Sequence, residues 1–309
     1  MVRFGIWTEE QYRKQGADRR YSAARVAFNL SCLPEHPDPE QVRMFEDISF
    51  TLQTTNGIFR TTFRNRFADV NEAAGQWLES RYPSQTAIRA EDRAVSHALT
   101  SAEWLLDLRK RFPACHLAAS DILLELFELR TPSGEVFIVE PSGEPLQYIR
   151  PPFVVPLKNK ESIRYPVNHL VAAWGRRSFA RLKLQPGFLN RPPAGFSVRP
   201  ISCVHPEARA LERSGMLTCE IRSVFDTTSA PVHAVRTMNI FNRSYFSDDR
   251  LREGIRAVWQ SLNPGGLWIV GRTMEDDFRN HATLYERTSE GWQLIQRLGR
   301  GSEVDPLVG

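Results

Sequence analysis

The sequence lacks most of the features that mark specialised protein classes. No apolar run approaches the ~20 residues of a transmembrane helix, and the N-terminus turns acidic too early for a secretory signal. The four cysteines form no C-x-x-C pair, and the seven histidines show no zinc-ligand spacing, so no metal site is expected. P-loop, G-x-G-x-x-G and G-x-S-x-G motifs are absent, which argues against NTPases, dehydrogenases and hydrolases. Reduced cysteines in a cytoplasmic setting are expected.

Lysine is also scarce: only five of the 40 basic residues are lysine, and the other 35 are arginine. The net charge is +4, and the basic residues are expected to be scattered and interleaved with Asp and Glu. This composition predicts a mixed, solvated surface, and nucleic acid is not expected as the partner. The 309 residues are 41% hydrophobic and 25% charged, which is typical of a globular protein with one large domain or two modest ones.

The first 84 residues are predicted to form a mainly helical N-terminal segment. From Pro39 to Tyr82 the pattern is mostly helical, and spacings of three and four residues place an apolar stripe on one helix face. The stripe consists of Phe67, Val70, Ala74 and Trp77. It must be buried, so we expect residues 41–82 to pack on the domain that follows.

A β-α-β pattern opens the second predicted domain, residues 85–309. Residues 87–92 are predicted to form a strand, residues 102–112 a helix and residues 116–121 a second strand. Thr100 or Ser101 is the expected N-cap of the helix.

Residues 131–197 interrupt this alternation and are predicted to be an insertion. They begin with a β-hairpin, 135–140 and 145–149, followed by a helix over 167–182. Tyr148 belongs to a group of aromatic and basic residues expected to be exposed beside the substrate site.

The C-terminal third returns to alternating strands and helices. The clearest elements are an amphipathic helix over 248–262, a buried strand over 267–271 and a closing hairpin formed by 282–287 and 292–297. The stretch Val235-Arg-Thr-Met-Asn-Ile-Phe-Asn-Arg-Ser-Tyr-Phe246 precedes this helix, and Leu262-Asn-Pro-Gly-Gly266 ends it.

These C-terminal motifs resemble the second half of class I S-adenosylmethionine-dependent methyltransferases. Met238-Asn239 and Tyr245-Phe246 are similar to chemotaxis-receptor methyltransferases, which also insert a small β-subdomain in the sheet. The resemblance implies an α/β fold: a Rossmann-like methyltransferase sheet with helices on both faces and a closing antiparallel hairpin. It also implies S-adenosylmethionine as cofactor.

Aligning the chain with this family implies a set of site residues. The cofactor-binding residues would be Asp92, Ser96, Ala98, Asp121, Asp226 and Asn239, and the substrate-binding residues Asn242, Tyr245 and Tyr148. Ala98 and Asp121 are 23 residues apart, close to the ~20 that separate a nucleotide loop from its ribose carboxylate. The loop after the first strand contains no glycine, whereas the family's loop is glycine-rich. No catalytic residue is assigned.

Two functions follow as hypotheses. The first is methyl transfer from S-adenosylmethionine to a small-molecule or peptide acceptor by a non-membrane protein, with a homodimer left open. The alternative is a non-catalytic methyltransferase-like module that acts through a binding partner, which the glycine-free loop favours.

Overall fold

The protein forms two compact units, and each is built around its own β-sheet. The computed structural model describes residues 1–14, 25–51, 54–55, 62–158 and 164–308. Unit 1 comprises residues 1–62 and 123–206, and unit 2 comprises residues 63–122 and 207–309. Among the described residues, no helix is both long and apolar enough to cross a membrane.

The helices of the described residues are α1 Glu9–Arg13, α2 Pro39–Thr51, α3 Ala68–Arg81, α4 Leu99–Arg111, α5 Pro166–Arg181, α6 Pro206–Arg213 and α7 Asp248–Ser261. The strands are β1 Arg89–Arg93, β2 His116–Asp121, β3 Glu125–Arg130, β4 Val136–Val139, β5 Pro145–Arg150, β6 Phe153–Pro156, β7 Ser197–Ser202, β8 Leu217–Ile221, β9 Val232–Met238, β10 Leu262–Thr273, β11 Asn280–Arg287 and β12 Trp292–Leu298.

Unit 2 contains a seven-stranded sheet of order β12-β11-β10-β9-β1-β2-β8. Strands β10, β9, β1, β2 and β8 are parallel, and β11 and β12 close the sheet as an antiparallel pair. The chain moves from β1 through α4 to β2 in one direction and from β9 through α7 to β10 in the other. Because such crossovers are right-handed, α4 and α7 lie on opposite faces. The predicted α/β fold with helices on both faces and a closing hairpin is confirmed.

Helix α3 packs against α4, β10 and β11 within unit 2, as its apolar stripe predicts. Phe67, Val70 and Ala74 of that stripe are buried. The predicted helical stretch is shorter than expected: the described part of 39–82 is helical only in α2 and α3, and residues 52–53 and 56–61 lie outside the described residues.

Unit 1 contains a five-stranded antiparallel sheet of order β6-β5-β4-β3-β7. Strand β4 shows why this sheet is covered on both faces. Val136 and Ile138 point into a core shared with Ile6 and Met44. Phe137 and Val139 point to the other face, into a core shared with α5. The residues predicted as one segment, 1–84, are thus divided between the two units.

The predicted hairpin corresponds to β4 and β5, which lie inside this larger sheet. The flanking strands β3 and β6 were not predicted. The charged residues of β3, Glu125, Glu128 and Arg130, do not alternate regularly with apolar ones, and β6 lies among prolines, so neither strand gives a strong local signal. The structure also differs from the turn predicted at Asn263–Gly266 after α7. Strand β10 begins at Leu262, and a register shift between Leu262 and Leu267 absorbs the turn residues as a bulge.

Helix α5 is held at a fixed rotation on its sheet by Gly175. A Cβ at Gly175 would lie 2.8 Å from the Tyr148 ring, closer than packed atoms approach. Ala172 and Asn168 lie on the same buried face, and the Asn168 amide donates to the Arg3 carbonyl at 2.8 Å. The face of α5 opposite these residues is therefore the one that points outward.

We expect Gly175→Ala to destabilise the protein by up to about 2 kcal/mol. Helix propensity alone favours alanine by about 1 kcal/mol, but overpacking against Tyr148 costs about 1–3 kcal/mol. Chemical denaturation measures the difference. Arg177→Ala, on the exposed face of the same helix, should change stability by less than about 0.5 kcal/mol. A stabilised Gly175→Ala protein would contradict the close contact.

Candidate functional site

The carboxyl edge of the seven-stranded sheet is the candidate site, because the strand order reverses there. From β1 the chain builds outward to β2 and β8 on one side and to β9 and β10 on the other. In open α/β sheets, ligands bind at the carboxyl ends of the strands at such a switch point. The switch point lies between β1 and β9.

The loop after β1 has the backbone of a glycine loop without any glycine. Ala94, Ser96 and Ala98 all adopt left-handed conformations, with φ of 59°, 59° and 62°. Each left-handed non-glycine residue costs about 1–2 kcal/mol, so the rest of the structure must impose the conformation. The last of these three left-handed residues, Ala98, immediately precedes helix α4.

Hydrogen bonds from the neighbouring strand hold this loop in place. The Val95 amide donates to the Ser120 carbonyl at 3.2 Å, and the Ser96 amide donates to Oδ2 of Asp121 at 2.8 Å. Asp121 is only partly buried. The carboxylate at the end of β2 therefore lies directly beside the loop, which brings together the predicted Ser96 and Asp121.

Helix α4 begins at Leu99, three residues earlier than predicted, and has no side-chain cap. Thr100 and Ser101, the expected caps, are buried inside its first turn. The Ser101 hydroxyl donates to Asp92 at 2.6 Å instead of capping the helix. The uncapped backbone amides of the first turn point toward the carboxyl edge, where a helix favours negative charge.

Asp92 faces the interior rather than the loop surface. It is 3% exposed, and both its oxygens accept from the Arg236 guanidinium, at 3.0 Å from Nε and 2.6 Å from Nη2. With Ser101 as a third partner, its hydrogen bonds are made within the protein. The predicted cofactor role of Asp92 therefore has no support in its placement.

Arg236 connects β9 to both helices on that face. It is fully buried, donates to Asn71 Oδ1 of α3 at 2.6 Å and donates to the Thr100 carbonyl of α4 at 3.0 Å. Its guanidinium also lies 4.5 Å from the Trp104 ring centre and 5.2 Å from that of Phe67. The charge is thus paired, hydrogen-bonded and enclosed by aromatic faces.

A second buried ionic network occupies the opposite face of β1. Arg93 donates to Glu91 at 2.8 Å, to the Ser261 hydroxyl at 2.7 Å and to the Val224 carbonyl at 3.0 Å. Glu91 also pairs with Arg222. Burial lowers the pKa of Arg93 to about 10, so it remains charged at neutral pH.

Asn239 lies at the carboxyl end of β9 as predicted, and its side chain shapes the turn. It has a left-handed φ of 61°, and its Oδ1 accepts from the Thr273 amide at 2.8 Å. Asn242 is buried, and its Oδ1 accepts from the amides of Ser244 and Tyr245. Tyr245 itself is 45% exposed. Of the predicted substrate residues, Tyr245 is the one open to solvent at this edge.

Asp226 and Tyr148 are the two remaining predicted site residues. Asp226 is exposed, and its carboxylate accepts from the Ser223 amide at 3.0 Å within its own turn. Tyr148 is fully buried in unit 1 and donates to Glu135 at 2.6 Å. The prediction that Tyr148 is exposed was wrong, because the sheet buries it under α5, and burial raises its pKa to about 12.

Sequence reasoning missed Arg66, which lies at the end of β10. Its Nε donates to the Thr273 hydroxyl at 3.1 Å, and its guanidinium lies 5.3 Å from the Phe63 ring centre. Burial lowers the pKa of Arg66, and the nearby Tyr245 hydroxyl acts in the opposite direction. No local signal identified Arg66, because it lies within the stretch predicted to be helical and meets its partners only through the fold.

The described residues contain no cluster of His, Cys, Asp or Glu that could hold a metal ion. A cavity of about 550 Å³ opens along α4, away from the predicted site residues. It is lined by Asn65, Glu103, Leu106, Asp107, Arg109 and Lys110.

We expect Asp92→Asn to destabilise the protein by about 3–5 kcal/mol, because it leaves the buried Arg236 charge without its counter-ion. Urea unfolding measures the loss. Asp249→Asn is the control, since it removes a surface ion pair with Arg252 whose carboxylate side chain is 94% exposed. That pair is worth less than about 1 kcal/mol. Equal effects of the two substitutions would refute a stabilising role for the buried pair.

Ala98→Gly should destabilise the protein much less than Ala102→Gly, although both alanines are fully buried. Ala102 lies inside α4, where glycine costs about 1 kcal/mol, whereas at Ala98 glycine relieves a left-handed strain of similar size. Thermal unfolding of the two variants tests this. Equal losses would indicate that Ala98 is not left-handed in solution.

Comparison with known proteins finds no matching family model and no matching curated protein. Solved structures to which parts of this chain are similar include an O-methyltransferase family protein from Burkholderia thailandensis. It is 12% identical with a TM-score of 0.31, over 78% of this chain and 44% of that one. An S-adenosylmethionine-dependent O-methyltransferase from Thermotoga maritima is 9% identical with a TM-score of 0.31, over 78% and 63%.

An O-methyltransferase of neocarzinostatin biosynthesis, solved with S-adenosylmethionine and 2-hydroxy-5-methyl naphthoic acid, is 12% identical with a TM-score of 0.27, over 68% of this chain and 42% of that one. This chain spans less than half the length of that protein and of the Burkholderia protein. At these scores the neighbours identify no activity for this chain, so the fold is assigned from its strand order. Unit 2 has an open α/β sheet of five parallel strands that is closed at one edge by an antiparallel pair.

Proposed function

We propose that unit 2 binds S-adenosylmethionine at its carboxyl edge and transfers the methyl group to an acceptor. The observation that carries the proposal is the loop over residues 94–98. Three left-handed residues without glycine store strain at the switch point of the sheet, and strained backbone concentrates at ligand-binding loops.

The residues at this edge fit the chemistry of the cofactor. Asp121 is a partly exposed carboxylate that accepts from the Ser96 amide, and a carboxylate can accept several hydrogen bonds at once. Ribose hydroxyls are donors that such a carboxylate binds strongly. The small side chains of Ser96 and Ala98 allow close approach of a ligand to the loop backbone.

The chain's own residues would position the reactants. Asp121 would hold the ribose, and Ser96 and Ala98 would border the cofactor. Asn239 would fix the corner after β9 through its bond to Thr273. The sulfonium of the bound cofactor supplies the methyl group, so catalysis rests mainly on placement and exclusion of water.

The acceptor would meet the protein at the ends of β9 and β10. Tyr245 and Phe63 are both about half exposed there, and Arg66 links Phe63 to Thr273. An aromatic and cationic surface of this kind suits a small molecule or peptide with an aromatic or acidic group.

A second candidate is a non-catalytic module that keeps the fold and acts through a partner. The internal pairing of Asp92 favours it, because this carboxylate takes no part in a ligand site. Isothermal titration with S-adenosylmethionine and S-adenosylhomocysteine separates a cofactor-binding protein from an empty scaffold. Binding of either supports the first proposal, and absence of binding supports the second.

We expect Asp121→Ala to weaken S-adenosylmethionine binding at least about tenfold, because each lost charge-assisted hydrogen bond is worth about 1.5–3 kcal/mol. Asp121→Asn keeps an acceptor for the Ser96 amide and removes only the charge, so it should weaken binding while leaving thermal unfolding nearly unchanged. Asp249→Ala, on the exposed face of α7, serves as the control and should bind as the parent does.

Unchanged affinity in both Asp121 variants would show that this carboxylate does not contact the cofactor. Strong destabilisation of the cofactor-free protein by Asp121→Asn would show that Asp121 serves only to hold the loop.

A further inference from the structure

The positive charge of the chain is concentrated in one stretch of unit 1. Residues 162–206 contain no Asp or Glu, but they contain six arginines and one lysine. Their net charge of +7 exceeds the +4 of the whole chain, so the remaining residues together are negative. The expectation of basic residues interleaved with acidic ones is therefore wrong for this stretch.

Helix α5, at the centre of this stretch, presents a mixed apolar and basic face. Leu170 is 71% exposed and Trp174 is 53% exposed, one helical turn apart. Arg177 and Arg181 continue the same face and are also exposed. We call these four residues the α5 outer face.

The orientation of this face is set by packing. Asn168, Ala172 and Gly175 are buried on the opposite side, and the contact of Gly175 with Tyr148 leaves α5 no room to rotate inward. Two large apolar side chains are therefore held in solvent by the fold, and exposed apolar patches of this kind mark interaction sites.

The arginines of the face have no counter-ion within the described residues. Arg177 and Arg181 form no ion pair with them, and the same holds for Lys183 and Arg191, which follow the helix. Their charge is complementary to a negative partner.

We propose that the α5 outer face binds an acidic amphipathic segment of a partner protein. Leu170 and Trp174 would take the apolar side of that segment, and Arg177 and Arg181 its carboxylates. Trp and Arg are the side chains that most often dominate protein interfaces. Spacings of four, three and four residues match the ridge by which one helix contacts another.

A protein segment suits the face better than a nucleic acid does. Single-stranded nucleic acid binds through aromatic stacking and cations, and both are present. However, Leu170 is 71% exposed, and an aliphatic side chain contributes to neither base stacking nor phosphate binding. Leu170 and Trp174 instead match the apolar side chains that a partner helix presents at helical spacing.

The test uses the full chain and a fluorescent peptide of about 16 residues, with leucines at helical spacing of three and four and glutamates elsewhere. A scrambled peptide of the same composition and a homouridine RNA serve as competing probes. Anisotropy titrations at low and physiological salt give the affinities.

The amphipathic peptide should bind about tenfold or more tightly than its scrambled form. Trp174→Ala and the double variant Arg177→Glu with Arg181→Glu should each weaken binding about tenfold or more. Matched controls are Leu106→Ala, an exposed leucine of α4, and Arg256→Glu, an exposed arginine of α7. Both should leave the affinity within about twofold.

Three results would overturn the proposal: no binding of the amphipathic peptide, equal binding of the scrambled peptide, or equal losses in the control variants. Tighter binding of the RNA, with the same sensitivity to Arg177 and Arg181 and a steep salt dependence, would assign the face to nucleic acid instead. Because all substituted side chains are exposed, unchanged thermal unfolding verifies that each variant is folded.

Discussion

The buried pair of Asp92 and Arg236 is the interaction on which unit 2 depends. It joins β1 to β9 at the point where the strand order reverses, and Arg236 extends the connection to Asn71 of α3 and the Thr100 carbonyl of α4. An unpaired buried charge costs several kcal/mol, so these elements must assemble in one register. The same pairing fixes where α4 begins and therefore how the loop before it is shaped.

The central strand β1 is unusual because three of its five residues, Glu91, Asp92 and Arg93, are charged and buried. Asp92 points to the face covered by α4, and Glu91 and Arg93 point to the face covered by α7. One buried ionic network therefore lies on each face of β1. Loss of one member of such a network is costly, because it leaves a buried charge without its partner.

The loop over residues 94–98 shows how a tertiary structure can impose a backbone that the local sequence disfavours. Glycine would adopt the left-handed conformations of Ala94, Ser96 and Ala98 without strain. Here Asp121 and the Ser120 carbonyl hold the loop from the neighbouring strand. The Asp121 carboxylate, which is proposed to bind ribose, therefore also supports the loop. For this reason Asp121→Asn, which removes the charge, and Asp121→Ala, which also removes the hydrogen bond, are tested separately.

The sequence by itself determined the elements with strong periodicity: the β-α-β unit, helix α7, the closing hairpin and the α/β fold class. It also placed Asp121 and Asn239 at strand ends, because an apolar run followed by a polar residue is a local signal. Only the tertiary structure decided the partner of Asp92, the position of Arg66 and the burial of Tyr148. Each depends on residues far away in the chain, and no local pattern of spacing or charge records which distant side chains will meet.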